Sequence, residues 1–109
     1  MAGAKITVMY PWPSDMEAFE KPYGEEHLPM AAPIFQAAGA NKVVLSRSTG
    51  SPSGTPQFHR IAEIRFPSMS ELNACAASKA GQETIAHAHK ISNGGAQVVL
   101  IAEEEVVTF

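Results

Sequence analysis

Two helix-start signals alternate with four short runs of β-branched and aromatic residues along this chain of 109 residues. The runs are typical of β-strands, and each helix signal is a serine followed three residues later by a glutamate, the pattern of a capping box. We predict strands over residues 6–10, 41–46, 58–66 and 98–102, and helices that begin at Ser14 and Ser68. The order βαββαβ predicts one ferredoxin-like α+β domain over residues 1–109, in which both helices cover one face of a four-stranded, mostly antiparallel sheet.

Large side chains recur at spacings of three and four along the first predicted helix. They are Met16, Phe19, Tyr23, His27, Met30 and Ile34. This spacing places them on one helix face, which we expect to turn toward the sheet. Pro22, Pro29 and Pro33 each remove a backbone donor, so we expect a kinked or segmented helix that ends before Gly39, its left-handed cap. The second helix is expected to break at Gly81.

The last predicted strand is apolar on both of its sides. Val98, Leu100 and Ala102 alternate with Val99 and Ile101. A strand with one face in water normally alternates apolar with polar residues, so this pattern predicts a bare apolar face opposite the helices. Two sheets stacked about a two-fold axis would cover that face, which predicts a homodimer. The alternative is that the loop or the C-terminal residues 106–109 of the same chain cover it.

Composition excludes several classes of partner and cofactor. The net charge is −3 with no cluster of lysine and arginine, so neither nucleic acid nor a membrane surface is expected as a partner. A single cysteine permits no internal disulfide, and the N-terminal residues do not resemble a signal peptide, so we expect a cytoplasmic protein. The chain lacks the glycine-rich, P-loop, C-x-x-C and G-x-S-x-G motifs, and we expect no cofactor.

His27 is the residue that points most directly to chemistry. It shares the helix face with Tyr23, four residues earlier, and should therefore face the interior. An imidazole in such surroundings can stay uncharged with a pKa near neutrality and exchange protons readily. The alternative is a core histidine satisfied by a backbone carbonyl. Tyr10 and Trp12, where the first strand ends, are expected to close the same end of a pocket that the helix break at Pro29 opens.

Three other histidines offer less specific signals. His59 alternates with Glu63 along the third strand, so both would line either the pocket or the dimer interface, and the sequence leaves both alternatives open. His87 and His89 form an H-x-H pair, but on a helix their side chains point apart. No third ligand lies nearby in the sequence, so we expect no metal site.

Residues 10–30, YPWPSDMEAFEKPYGEEHLPM, resemble the signature of the EthD family, whose members belong to the dimeric α+β barrel superfamily. The positions that match in order and spacing are Tyr10, Asp15, Phe19, Tyr23, His27, Leu28 and Pro29. Residues 59–69 also resemble that family's third strand and its entry to the second helix. The chain departs from the pattern at Gly24, where a second aromatic is frequent. It also departs at residues 92–97, which lack an acidic residue and an aromatic that often precede strand four.

The resemblance implies a homodimer whose two sheets form a barrel, with a cleft between helices and sheet in each subunit. We predict a small hydrophobic or aromatic ligand in that cleft, in contact with Tyr10, Trp12, Phe19, Met30, His59 and Phe66. One hypothesis is a cofactor-independent oxygenase or isomerase of small-molecule catabolism, with His27 as general acid/base and Tyr23 orienting it or the ligand. The other hypotheses are a non-catalytic ligand-binding or accessory protein using the same pocket and, by analogy within the superfamily, a haem-binding protein.

Overall fold

The computed structural model describes residues 3–109. Its strands are β1 (Gly3–Pro11), β2 (Lys42–Arg47), β3 (Phe58–Phe66) and β4 (Val98–Glu104). Its α-helices are α1 (Met16–Pro22), α2 (Leu28–Ala37), α3 (Met69–Ala77) and α4 (Lys79–Ile91), and a π-helical turn (Tyr23–His27) joins α1 to α2. The strand order is β2-β3-β1-β4, and all three strand pairs are antiparallel. The predicted ferredoxin-like α+β fold is confirmed.

The core fills the space between the helices and one face of the sheet. Its largest fully buried side chains are Tyr10, Phe19, Tyr23, Phe66 and Leu72. Alternate residues of β1 are buried along the whole strand, which fits a central strand with helices on one side only. Full burial of a side chain the size of leucine stabilises the fold by about 2 kcal/mol, so Leu72 is an anchor for α3. Within residues 3–109, no helix combines the length and the apolar character that crossing a membrane requires.

The two capping boxes differ in outcome. Ser68 caps α3 as predicted, because its hydroxyl accepts from the backbone N–H of Glu71 at 3.5 Å. Ser14 does not cap α1, and the prediction there is wrong by one residue. The cap is Asp15, whose carboxylate accepts from the N–H of Ala18 at 3.0 Å. The Ser14 hydroxyl instead donates to the Asn93 carbonyl at 2.8 Å, which ties the start of α1 to the loop before β4.

The segmentation predicted from the prolines takes the form of the π-helical turn. In this turn the Leu28 N–H donates to the carbonyl of Tyr23, five residues back. Pro29 has no N–H to give, and in a regular helix its ring would collide with the carbonyl four residues earlier. A wide turn just before Pro29 relieves that conflict and lets the helical path continue.

The wide turn also decides which side chains face inward. Phe19, Tyr23, His27 and Ala31 are buried at intervals of four residues, so the inward orientation predicted for Tyr23 and His27 is confirmed. Met16, by contrast, is 36% exposed, and Met30 and Ile34 are only partly buried. Beyond the turn, the inward-facing side passes to Ala31 and Phe35 because the extra residue rotates the stripe.

The second helical region breaks at Ser78, three residues before the predicted site at Gly81. Ser78 leaves the helical conformation and caps α4, accepting from the Gly81 N–H at 3.0 Å. Gly81 has a different role from the one predicted, because a Cβ atom there would overlap the backbone oxygen of Cys75. The glycine thus permits α3 and α4 to meet at close range.

The other face of the sheet carries apolar residues around a compact group of charges. Lys5 Nζ lies 2.8 Å from Glu63 Oε2, and Arg65 Nε lies 3.1 Å from Glu104 Oε2. On β4, Leu100 is 51% exposed on this face. The tail does not cover it, since the apolar side chains of residues 106, 107 and 109 are themselves at least 73% exposed. The predicted bare face is therefore present in a single chain.

Candidate functional site

A cavity of about 110 Å³ lies between the sheet and the helices. Its lining comes from all four strands, the π-helical turn, α2, α4 and the residue before β4, and it includes Ile6, Val8, Tyr10, Tyr23, His27, Leu28, Ala31, Phe35, Val43, Leu45, Ala62, Ile64, Thr84, Ala88, Gln97 and Val99. The walls are almost entirely apolar. Val43 and Leu45 line the cavity and are nonetheless 43% and 44% exposed, so it opens to the surface along β2, an edge strand.

Three side chains form a hydrogen-bonded row at the polar end of the cavity. The Tyr10 hydroxyl lies 3.3 Å from His27 Nε2, and His27 Nδ1 lies 2.9 Å from His87 Nδ1. The planes of the two imidazoles are nearly parallel, with an interplanar angle of 2°. Each neutral imidazole has one N–H and one acceptor nitrogen. If Tyr10 donates to His27, then His27 must donate through Nδ1 to His87.

Burial keeps the inner two members of this row uncharged. Removal from water, and secondly the positive charge that His87 carries when protonated, lower the pKa of His27 to about 4. The expected pKa near neutrality is therefore not found. Burial likewise raises the pKa of Tyr10, with Tyr23 as a second cause. At neutral pH both groups are neutral, so this end of the cavity can donate and accept hydrogen bonds without carrying charge.

Tyr23 lines the same end of the cavity. Its ring stacks on that of His27, with centroids 6.1 Å apart, and meets the Tyr10 ring edge-on at 5.4 Å. Its hydroxyl is buried and has no hydrogen-bond partner among residues 3–109. Such a group costs free energy unless something satisfies it. Burial raises the pKa of Tyr23, an effect that the nearby Arg60 guanidinium opposes.

A β-bulge places His59 away from both sites that the sequence allows. Tyr10 pairs with Arg60 and Pro11 pairs with Phe58, so His59 is an extra residue in β3. Bulges redirect side chains, and His59 lies on the helix side, with its ring edge-on to Trp12 and Phe19. It does not line the cavity.

Glu63, the predicted companion of His59, lies on the outer face in an ion pair with Lys5. The imidazole of His59 is 4% exposed, and its Nε2 lies 3.4 Å from Glu20 Oε1, without the alignment of a hydrogen bond. Glu20 is held by Arg60, whose two nitrogens bind its two oxygens at 2.7 and 3.2 Å.

The remaining residues predicted to contact a ligand stand outside the cavity. Phe19 and Phe66 are buried in the core. Met30 is partly buried, and Trp12 is 37% exposed. Of the eight predicted site residues, Tyr10, Tyr23 and His27 line the cavity.

His87 stands out in the sequence only as half of an H-x-H pair, and its contact with His27 was not predicted. It lies on α4, where the neighbouring Thr84 and Ala88 are buried, so it stands at the border of the inward face. Its spacing from those two residues is the sequence signal that could have placed His87 near the interior. His89 does point elsewhere, with Nδ1 3.2 Å from Gln97 Oε1. In the described part of the chain, no group of three or more histidine, cysteine, aspartate or glutamate side chains is arranged to hold a metal ion.

Two known proteins resemble this chain over most of its length. An EthD family protein from Bacillus halodurans C-125 is 26% identical and superposes with a TM-score of 0.84, covering 96% of this chain and 100% of its own. This match confirms the predicted EthD likeness. An uncharacterized 11.0 kDa protein of Rhodococcus erythropolis, from the thcB-thcC intergenic region, is 24% identical over 103 residues, which are 94% of this chain and 97% of that protein.

Two less similar structures share the fold. A dimeric ferredoxin-like protein of unknown function from Jannaschia sp. CCS1 is 15% identical, with a TM-score of 0.72 and coverage of 95% and 99%. A hydroxynitrile lyase from Passiflora edulis is 12% identical, with a TM-score of 0.73 and coverage of 97% and 96%. A family described as a domain of unknown function (DUF1330) matches residues 12–103. Since that match spans most of the chain, the protein belongs to the DUF1330 family.

Proposed function

We propose that this protein binds a small, mostly apolar molecule with one hydroxyl or carbonyl group, and that Tyr10 and His27 transfer a proton at that group. The observation that carries the proposal is the buried Tyr10–His27 hydrogen bond at one end of an otherwise apolar cavity. Ligand sites typically combine apolar walls with a few polar groups that fix orientation. The unpartnered hydroxyl of Tyr23 is a third group that a polar ligand atom would satisfy.

The size of the cavity limits the ligand. A cavity of about 150 Å³ holds benzene in another protein, and this one is about 110 Å³. A single ring therefore fills it, and any longer substituent has to extend through the opening beside Val43 and Leu45. The cavity is thus matched to a monocyclic or short-chain compound.

The chemistry favoured by these groups is proton transfer without an added cofactor, as in an isomerase or a lyase. A neutral imidazole and a neutral phenol can exchange protons with a ligand hydroxyl, or with carbon next to a carbonyl. The hydroxynitrile lyase that shares the fold supports a reaction of this class. An oxygenase of small-molecule catabolism, and a cytoplasmic location for the protein, remain predictions.

The experiment uses phenol and toluene, two ligands with the same number of heavy atoms. Binding to the purified protein is followed by NMR titration. We expect phenol to bind about five-fold more tightly, since one buried hydrogen bond contributes about 1 kcal/mol. The double variant Tyr10→Phe/Tyr23→Phe, which removes both cavity hydroxyls, should abolish the preference, whereas the control His89→Phe, outside the cavity, should keep it. Equal affinities, or no binding of either compound, would refute the proposal.

Catalysis is tested separately, by incubating the protein with small ketones in D₂O. Deuterium incorporated next to the carbonyl reports proton abstraction and is read by NMR. We expect incorporation above the buffer rate, lost in His27→Phe and kept in His89→Phe. Binding of phenol without any incorporation would favour the alternative function, a binding or accessory protein that uses the same cavity.

We also propose that the protein is a homodimer joined through the outer faces of two sheets. Leu100 is half exposed there, and the four charged groups balance as two positive and two negative. The dimeric protein with the same fold supports this arrangement.

Leu100 and Ile101 are both 51% exposed but lie on opposite faces of β4. Leu100→Glu should yield monomers in analytical ultracentrifugation and Ile101→Glu should not, and the proposal fails if Leu100→Glu stays dimeric or the wild type is monomeric.

A further inference from the structure

We propose that His87 is the solvent-side end of a proton path that runs from the cavity through Tyr10 and His27. The inference rests on the proposed function, since a path of this kind serves a ligand that gains or loses a proton. The path gives a role to His87, which does not itself line the cavity. The groups that α4 contributes to the cavity wall are neutral, either apolar or already hydrogen-bonded.

The first observation is that the row of hydrogen-bonding groups is continuous. The distances from the Tyr10 hydroxyl to His27 Nε2 and from His27 Nδ1 to His87 Nδ1 are 3.3 and 2.9 Å. The remaining ring nitrogen, His87 Nε2, has no hydrogen-bond partner within residues 3–109, and it is not fully buried. It therefore reaches the surface, whereas His27 is 6% exposed. The three groups link a buried position to water with no gap.

The second observation is that the row can pass a proton in either direction and leave both imidazoles neutral. In one state Tyr10 donates to His27 Nε2, His27 donates through Nδ1, and His87 carries its hydrogen on Nε2, toward water. When Tyr10 takes a proton from a ligand, its own hydrogen passes to His27, the Nδ1 hydrogen passes to His87, and the Nε2 hydrogen leaves to water. Each side chain gains one hydrogen and loses one, and both imidazoles end as the opposite neutral tautomer.

The environment disfavours the simpler route of a charged imidazolium. His27 is enclosed by the rings of Tyr10, Tyr23 and His87, and the Arg60 guanidinium lies 5.3 Å from the centre of the Tyr23 ring. No carboxylate of residues 3–109 forms an ion pair with His27 or His87. Without a negative partner, an imidazolium is not stabilised at this site. A proton that reaches His27 is therefore passed on to His87.

The test measures how fast the ring N–H proton of His27 exchanges with water, using ¹⁵N-histidine-labelled protein and NMR. The variant is His87→Gln, because a glutamine side chain keeps an acceptor for His27 but has no second ring nitrogen to pass the proton on. We expect exchange at least ten-fold slower in His87→Gln than in wild type, and no change in the control His89→Gln. If His87 only supports the fold, exchange in His87→Gln should be equal or faster, and that result would overturn the proposal.

A ligand-free readout separates this inference from the proposed function. Phenol that binds selectively while His87→Gln leaves exchange unchanged would refute the proton path alone. Slow exchange in His87→Gln together with no ligand binding would refute the proposed function and leave the path standing. His87→Phe provides a second variant of similar size should His87→Gln fold poorly, and the same slowing is expected of it.

Discussion

Acidification from pH 7 to pH 5 should destabilise the protein, because the His27 imidazole takes up a proton when the chain unfolds. Its pKa is about 4 in the folded chain against an ordinary value of 6.5, so the unfolded chain binds more protons in this range. Stability therefore rises with pH from about 4 to 6.5 and is lost on acidification. From the two pKa values, the loss between pH 7 and pH 5 is roughly 2 kcal/mol, at about 1.4 kcal/mol for each unit of pKa shift.

Urea unfolding at one fixed protein concentration measures this loss. Glu20 and Glu63 also have lowered pKa values, because Arg60 and Lys5 respectively hydrogen-bond to them, so acid weakens the fold through them as well. His27→Gln keeps those groups and removes the imidazole. The free energy of unfolding of wild type should therefore fall by about 2 kcal/mol more than that of His27→Gln over the same interval. Equal losses of stability in the two proteins would contradict the lowered pKa of His27.

Two further predictions concern the helices. Gly81→Ala should lower the free energy of unfolding by about 1–3 kcal/mol, because its Cβ would overlap the Cys75 carbonyl; unchanged stability in urea would show that the helices separate without cost. Asp15→Ala should cost about 1 kcal/mol through the lost cap, and more than Ser14→Ala; thermal unfolding of both variants checks this, and a larger loss for Ser14→Ala would contradict the assignment of the cap.

The order and type of the elements follow from local patterns, which is why the sequence predicts them. Strand runs, capping residues and prolines act within a few positions, and the fold needs little more than their succession. The same holds for the inward turn of Tyr23 and His27, since a helical period is a local property. Even the error at Ser14 is small, because Asp15 is an equally suitable cap next to it.

The site depends on contacts that no local pattern contains. The His27–His87 hydrogen bond joins residues 60 positions apart and requires α4 to pack against the π-helical turn. The position of His59 depends on a bulge whose register is set between β1 and β3, so strict alternation along β3 misplaces it. The opening of the cavity beside Val43 follows from the place of β2 at the sheet edge, which only the strand order determines.

The proposed function and the proton path both require a neutral His27 between a cavity hydroxyl and a second imidazole. This neutral state is tested most directly by ¹⁵N NMR of the histidine ring nitrogens between pH 5 and pH 8. We expect His27 to remain in a neutral form throughout this range and to titrate only near pH 4. A midpoint for His27 close to the ordinary histidine value of 6.5, with both ring nitrogens protonated at pH 5, would contradict it.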